Sequence, residues 1–313
     1  MSDKAGTFRT GSPDAIFGVR GAPQVTIIGV GLLGGSIGLA IKERWRNAHV
    51  AGVGRRRESL REALRLGAID SAYLHAAEPA AASDMIILAT PIGAFASHLR
   101  AIAPVLKRGA VVTDVGSTKA AVVRMARETL GKAGRFVGGH PMAGSELKGA
   151  AHAQADLFAG APCILTPTRE TPRAVLGRIE RFWKALGARV IRMSPAAHDR
   201  AVAAVSHLPH ALAAVLMMLP GRAELDVAAG GFADSTRLAG GDVEMWRDIF
   251  LTNRKAILSA IDAFDEDLMR LRDLVETGDA KAIESFMAAA KARREAMIAH
   301  RDGNRTVPSN RRS

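Results

Sequence analysis

Three glycines at fixed spacing directly behind a short apolar run constrain this chain more than any other feature. The run Val25-Thr26-Ile27-Ile28 reads as a buried strand, and Gly29-Val30-Gly31-Leu32-Leu33-Gly34 follows it without a gap. From Leu32 to Arg46 the pattern reads as a helix. In that strand-to-helix context the GxGxxG string is the signature of a dinucleotide cradle. Gly29 makes the tight turn, Gly31 lets the backbone approach a pyrophosphate, and Gly34 lets helix and strand pack closely. The first helical turn offers free N–H groups and partial positive charge to the anion. Gly38 falls on the same helix face as Gly34 and extends the close packing.

The pattern then repeats. His49 to Val53, Met85 to Ala89 and Ala110 to Val115 are short apolar runs separated by helical stretches such as Glu58 to Leu66. Pro162 to Thr166 and Arg189 to Met193 bracket a further helix near Thr171 to Leu186. Continuous apolar strands alternating with helices predict an α/β, doubly wound parallel sheet, buried on both faces. Beyond Ser194-Pro195 no strand is expected. Ala196 to Leu219, Val243 to Leu274 and Ala280 to Ile298 read as helices, with breaks at Pro220-Gly221 and Thr277-Gly278. We therefore expect a flexible tail over 1–22, a dinucleotide-binding domain over 23–194, a smaller all-helical substrate and dimerisation domain over 195–300, and a disordered Arg-rich tail over 301–313.

Composition narrows the function. The 313 residues carry a net charge of +12. Of this, +1 lies in residues 1–20 and +3 in residues 301–313, and with 4% aromatics and a single tyrosine, stacking platforms for bases are scarce. Anionic small molecules suit this charge better than nucleic acid. The most apolar stretch, Ala201 to Leu219, is broken by Ser206, His207, Pro209 and His210, so no membrane span is expected. One cysteine, Cys163, excludes a disulfide framework and a Cys-rich metal site. With no apolar signal core near the start, a cytoplasmic address is expected.

Ligands of an open α/β sheet sit beyond the carboxyl ends of its strands. Thr90-Pro91 and Asp114-Val115-Gly116-Ser117-Thr118-Lys119 occupy such ends, and the expected cofactor contacts are Gly29, Gly31, Leu32, Leu33, Gly34, Thr90, Pro91 and Ser117. Ser117 or Thr118 also suits a helix cap. At the second strand's tip, where a carboxylate would hold an NAD ribose, the chain reads Arg55-Arg56-Arg57. A 2′-phosphate is a target for arginine forks, which favours NADP over NAD; the alternative is a solvated basic helix start. Gly138-Gly139-His140-Pro141-Met142-Ala143-Gly144-Ser145-Glu146-Leu147-Lys148-Gly149 brings one imidazole to another strand end. Neutral histidine suits a base that accepts a hydroxyl proton while hydride leaves the carbon.

In the helical half, Asp199, Ser206 and His210 fall within about 40° of one another on an ideal helix. They need partners or a ligand. Pro209 predicts a kink and a freed carbonyl. A buried structural network is the alternative use of His207 and His210, and Trp246 reads as core.

The glycine motif, the Asp114–Lys119 string, the His140–Gly149 string and Ser206-His207-Leu208-Pro209-His210 together resemble the prephenate/arogenate dehydrogenase family of tyrosine biosynthesis, over roughly residues 23–295. The resemblance implies NAD(P)-dependent oxidative decarboxylation on a Rossmann domain joined to a helical domain that forms a homodimer. It places His140 as the catalytic group at the ring hydroxyl, with Ser117 steadying the imidazole and nicotinamide. His210 lies at the substrate with His207 beside it, Arg237 grips a substrate carboxylate, and Ser145 and Glu146 complete the substrate set. Glu146 and Asp234 are expected to form an ionic network around Arg237. No metal is needed, since the cofactor accepts the hydride. The alternatives are an arogenate-specific NADP enzyme, a β-hydroxyacid dehydrogenase and a non-catalytic NADPH-binding regulator.

Overall fold

The computed structural model describes residues 12–131, 134–144, 147 and 149–305. Eight strands form one sheet: β1 (Gln24–Ile28), β2 (His49–Val53), β3 (Ser71–Tyr73), β4 (Met85–Leu88), β5 (Val111–Asp114), β6 (Phe136–Pro141), β7 (Pro162–Thr166) and β8 (Arg189–Arg192). Their order is β3-β2-β1-β4-β5-β6-β7-β8. From β3 to β6 every pairing is parallel, β7 runs antiparallel to β6, and β8 is parallel to β7. The one reversal has a local cause. Between β6 and β7 the described chain holds only a short turn, Ala150–His152, and no crossover helix, so it returns beside the strand it left.

Alternate strand residues feed two cores. Val25, Ile27, Met85 and Ile87 join a cluster on one face with Ile37, Ile41, Phe182 and Trp183. Ile28, Ile86 and Leu88 join the other with Phe95, Leu99 and Ile102. Period-2 side chains covered on both faces are why these strands read as unbroken apolar runs.

Two expected tails are shorter than the sequence suggested. Pro13–Phe17 is a helix, and Ile16 and Phe17 are buried. Phe17 packs edge-on against Trp45 at 5.1 Å, and Arg178 donates to the carbonyls of Ile16 at 2.9 Å, of Phe17, and of Gly109 at 2.7 Å. An apolar pair inside a polar segment, with an arginine from 160 residues away closing over its carbonyls, carries no periodic signal. At the other end the helix Ala280–Arg305 continues into the expected tail, and residues 306–313 lie outside the described chain, as do residues 1–11.

Strands end at Arg192 and helices begin at Pro195, where the change of character was expected. The chain forms two compact units, residues 1–257 and 258–313. The first extends past 194 because the helix Pro195–Val202 is hydrogen-bonded to the sheet's loops through Asp199. Pro195–Met218 is, by length and composition, apolar enough to cross a membrane, although no span was expected because polar residues interrupt it. Its His198, Asp199 and His207 are nonetheless buried against other parts of the folded unit. In the second unit Gly278, at φ 66°, separates the helices Arg254–Thr277 and Ala280–Arg305, and Leu268, Met269, Val275 and Met287 are exposed.

Gly38 shows how closely the helix Leu32–Arg44 packs on the loop that leads into β3. A Cβ there would lie 2.0 Å from the Ala68 carbonyl oxygen, which is backbone and cannot swing aside. Gly38→Ala should therefore destabilise the protein by about 1–3 kcal/mol. Thermal denaturation followed by circular dichroism checks this, and a Tm equal to wild type would mean the helix is free to slide.

Candidate active site

The carboxyl ends of β1, β4, β5 and β6 share one edge of the sheet because these strands are parallel. At β1 the three glycines differ in what explains them. Gly29 has φ 102°, and a Cβ would meet the Ala89 and Thr90 backbone at 2.6–2.7 Å. At Gly34 a Cβ would sit 1.9 Å from the Gly29 carbonyl oxygen. Both are demanded by the fold. At Gly31 a Cβ would meet nothing within 4 Å, so its lack of a side chain answers to something outside the chain. Nearby, the Thr90 hydroxyl is buried and has no partner among the described residues. A bare helix start, a side-chain-free approach and an unspent donor fit a dinucleotide's phosphates and ribose. Gly31 caps the helix Leu32–Arg44, in which Leu32 and Leu33 are half-buried, Leu33 against the core, and Pro91 is exposed. Arg55, Arg56 and Arg57 are exposed at the tip of β2, and none is in an ion pair among the described residues.

His140 lies at the end of β6, 8% exposed. Its Nδ1 is 2.8 Å from His198 Nε2, and His198 Nδ1 is 2.8 Å from Asp199 Oδ1. Asp199 also accepts the N–H groups of Lys119 at 2.7 Å and Ala120 at 2.8 Å. These contacts fix the tautomers in sequence. An ionised carboxylate only accepts, so His198 donates from Nδ1 and its Nε2 accepts from His140 Nδ1–H. His140 Nε2 keeps its lone pair. Burial is the main cause that pushes the His140 pKa well below the ordinary histidine value, and the positive charge available to His198, Lys119 and His207 adds to it. Burial alone would raise the Asp199 carboxyl, but hydrogen bonds from His198, Ala120 and Lys119 hold it below its usual value.

The sequence reading assigned Ser117 the task of steadying this imidazole. Ser117 is half-buried on the loop after β5 and makes no hydrogen bond to His140; the partner is His198. His198 and Asp199 were missed as a unit because only tertiary closure brings a helix start against a strand end. Their adjacency behind the Ser194-Pro195 helix start is the one local sign, and Ser194 does cap that helix.

The expected stripe of Asp199, Ser206 and His210 does not form. A five-residue π-helical turn, Ala203–His207, interrupts the helix ahead of Pro209, so residues beyond it rotate out of the ideal register. His207 turns inward, 1% exposed, with Nδ1 accepting from Asn253 Nδ2 at 3.1 Å, and Asn253 also donates to the Asp199 carbonyl at 2.8 Å. Burial lowers the His207 pKa to about 4. His210 Nδ1 donates to the Ser206 carbonyl at 2.9 Å. Its ring stacks on Trp246 at 3.7 Å, and burial followed by the Arg237 charge lowers its pKa against the pull of that carbonyl. Trp246, read as core from the sequence, is thus a wall of the histidine cluster, and its indole N–H is buried without a partner among the described residues. Arg237 is exposed near His210, and no ion pair joins it to Asp234 among the described residues; the Glu146 part of the expected network lies outside them. Ser145 and Glu146 lie outside the described residues. No group of three or more potential metal ligands occurs among the described residues.

Comparison with known proteins points one way. Residues 37–192 match the family model for the nucleotide-binding domain of prephenate dehydrogenase, and residues 194–289 match that for its dimerization domain. The chain is 35% identical over 289 residues to prephenate dehydrogenase of Bacillus subtilis, covering 89% of this chain and 77% of that one. It is 33% identical over 281 residues to cyclohexadienyl dehydrogenase of Zymomonas mobilis, covering 86% and 94%. The crystal structure of prephenate dehydrogenase from A. aeolicus, in complex with hydroxyphenyl propionate and NAD+, superposes with a TM-score of 0.83 at 34% identity, covering 88% of this chain and 98% of that one.

The lowered pKa values of the four clustered imidazoles, and of His98, which burial also lowers, have a consequence for stability. In the unfolded chain they charge near pH 6.5, whereas in the fold His140, His198, His207 and His210 resist protonation. Acid therefore favours unfolding, and stability is lost as pH falls from about 6.5 towards about 4, where His207 itself charges. The Tm should drop steadily between pH 7 and pH 4.5. A flat Tm across that range would mean that the histidines carry their charge in the fold.

Proposed function

The chain belongs to the prephenate dehydrogenase family, and from that premise we propose that it oxidatively decarboxylates prephenate, arogenate or both, with hydride transfer to a nicotinamide cofactor. The observation that carries the reading is the His140 Nε2 lone pair, fixed by His198 and Asp199 at the strand edge that also holds the glycine cradle. Held over the glycine cradle, a nicotinamide would supply the acceptor for the hydride that leaves the ring carbon bearing the hydroxyl. His140 takes the hydroxyl proton, and its low pKa keeps it neutral and ready for it. CO₂ leaves with its bonding pair entering the ring, which becomes aromatic. Arg237, exposed beside His210, offers a forked contact for a substrate carboxylate, and Ser117 stands on the loop between cofactor and substrate.

We assign residues 23–194 to the cofactor and 195–300 to substrate binding and dimerisation. Exposed Val215, Met218, Val243 and Leu251 in the helical region of the first unit support a homodimer, as does the family model over residues 194–289. Arg55 and Arg56, exposed and in no ion pair among the described residues where a ribose-binding carboxylate would stand, support NADP as the preferred cofactor. A cytoplasmic setting suits the buried free thiol of Cys163.

An assay crossing prephenate and arogenate with NAD and NADP tests the reading. Reduced nicotinamide should accumulate with at least one substrate, and none with any combination would leave a nucleotide-binding protein without this activity. His140→Asn should lower kcat by about 10²–10⁴ while cofactor affinity stays nearly unchanged. Replacing Arg55 and Arg56 together by alanine should weaken NADP binding by about tenfold or more and leave NAD binding alone. Equal losses for both cofactors would assign these arginines to general charge.

A further inference from the structure

Beneath the histidines lies an ion pair that the proton-transfer chemistry does not use. Asp114, the last residue of β5, and Lys119 are both fully buried and bonded to each other. Their remaining hydrogen bonds converge on two places. Lys119 Nζ donates to the Gly139 carbonyl at 2.9 Å, and Asp114 accepts the Gly139 N–H at 3.1 Å and the Gly116 N–H at 2.8 Å. Gly139 immediately precedes His140. The β5–β6 ladder ends at the Thr113–Val137 pair, so past that point two side chains take over the task of joining the strands. Glycine is required there, since a Cβ on Gly139 would lie 2.7 Å from the Asp114 carbonyl oxygen. The same lysine also reaches the other end of the imidazole. Its main-chain N–H, with that of Ala120, holds the Asp199 carboxylate, which holds His198, which holds the His140 ring.

We propose that Lys119 is a two-sided positioning residue for His140: its ammonium, with Asp114, fixes the main chain at Gly139, and its amide fixes the ring through Asp199 and His198. One residue on the loop that carries Ser117 thereby sets both where the imidazole stands and how it is turned. The inference rests on His140 being the base. A displacement of about 1 Å in a reacting group can cost about 10²-fold in rate, so loss of the clamp reads out in turnover rather than in binding.

Removing Lys119 alone would leave a buried carboxylate unpaired, so the variant of choice replaces both, Asp114→Asn with Lys119→Met. In the folded variant kcat should fall by about tenfold or more. The substrate KM, and the cofactor Kd read by titration of protein fluorescence, should stay within about threefold of wild type. The NMR titration of the His140 ring in cofactor-free protein, read in the double variant and in Lys119→Arg, separates loss of the ammonium from loosening of the site, since loosening would raise the midpoint in both variants and loss of the charge only in the first. The groups facing that ring are His198 and His207 from the helix side and Lys119 from the loop, and the Cys163 thiol on β7 meets the main chain of His140. With the ammonium gone the His140 midpoint should move up towards the ordinary histidine range. Wild-type kcat with an unmoved midpoint overturns the proposal, and so does a cofactor Kd that rises as far as kcat falls, which would make Lys119 a cofactor ligand. Should the double variant not fold, Lys119→Arg keeps the charge on a longer, forked head. It should retain the low midpoint yet lose about tenfold or more in kcat, and wild-type kcat there overturns the proposal equally. If the wild-type protein oxidises neither substrate, the reading of His140 as base fails instead, and the NMR midpoint still reports on the clamp.

Discussion

A carboxylate and an ammonium with no exposed surface cannot be tolerated apart, and much of the site's geometry follows from satisfying this one pair. Burial drives the Asp114 carboxyl up and the Lys119 ammonium down, and only their mutual attraction and a full set of hydrogen bonds offset that cost. The partners available are main-chain groups of Gly116 and Gly139, so the pair dictates how the loop after β5 closes and how far β6 may drift from β5. Two glycines in a row at 138 and 139 let the chain come that near. A Cβ on Gly138 would approach Thr166 Oγ1 to 2.5 Å. What reads in the sequence as flexibility is in the fold a requirement for contact.

The two halves of the site solve opposite electrostatic problems. At the glycine cradle the protein offers main-chain dipoles and leaves Gly31 bare, because the expected visitor brings its own negative charge. At the histidines it keeps the imidazole proposed as base uncharged at physiological pH. Burial does most of this, and an imidazole whose Nδ1 is committed to His198 can meet a proton only at Nε2. Asp199 stays ionised because two amide donors and His198 surround it. The charge therefore rests one imidazole away from the reacting nitrogen, where it sets direction without raising His140's affinity for the proton directly.

Local rules carried the cradle, the strands and the change of character after Ser194, since each is written in spacing within a few residues. Gly29, Gly31 and Gly34 were legible because strand, turn and helix follow one another directly. His140 was legible from its company of glycines at a strand end. His198, Asn253 and Trp246 were not. Each acts through a partner tens of residues away, so no period or motif marks it. The short helix at Pro13–Phe17 failed for the same reason: Arg178 completes it from a distant helix.

The helix after Ser194 shows how a wrong periodicity can be informative. At 100° per residue Asp199, Ser206 and His210 share a face, and a regular helix would have aimed all of them at one target. Pro209 forbids that regularity, because its ring displaces the preceding turn and it has no N–H to give. The chain answers with a π-helical turn over Ala203–His207, which takes one more residue per turn and so re-aims everything downstream. Asp199 keeps its place at the sheet, His207 turns inward to Asn253, and His210 comes to lie flat on Trp246 beside Arg237. The two proposed jobs, orienting the base and facing the substrate, would thereby fall on one continuous helix. A strictly α-helical segment would have had to choose between them.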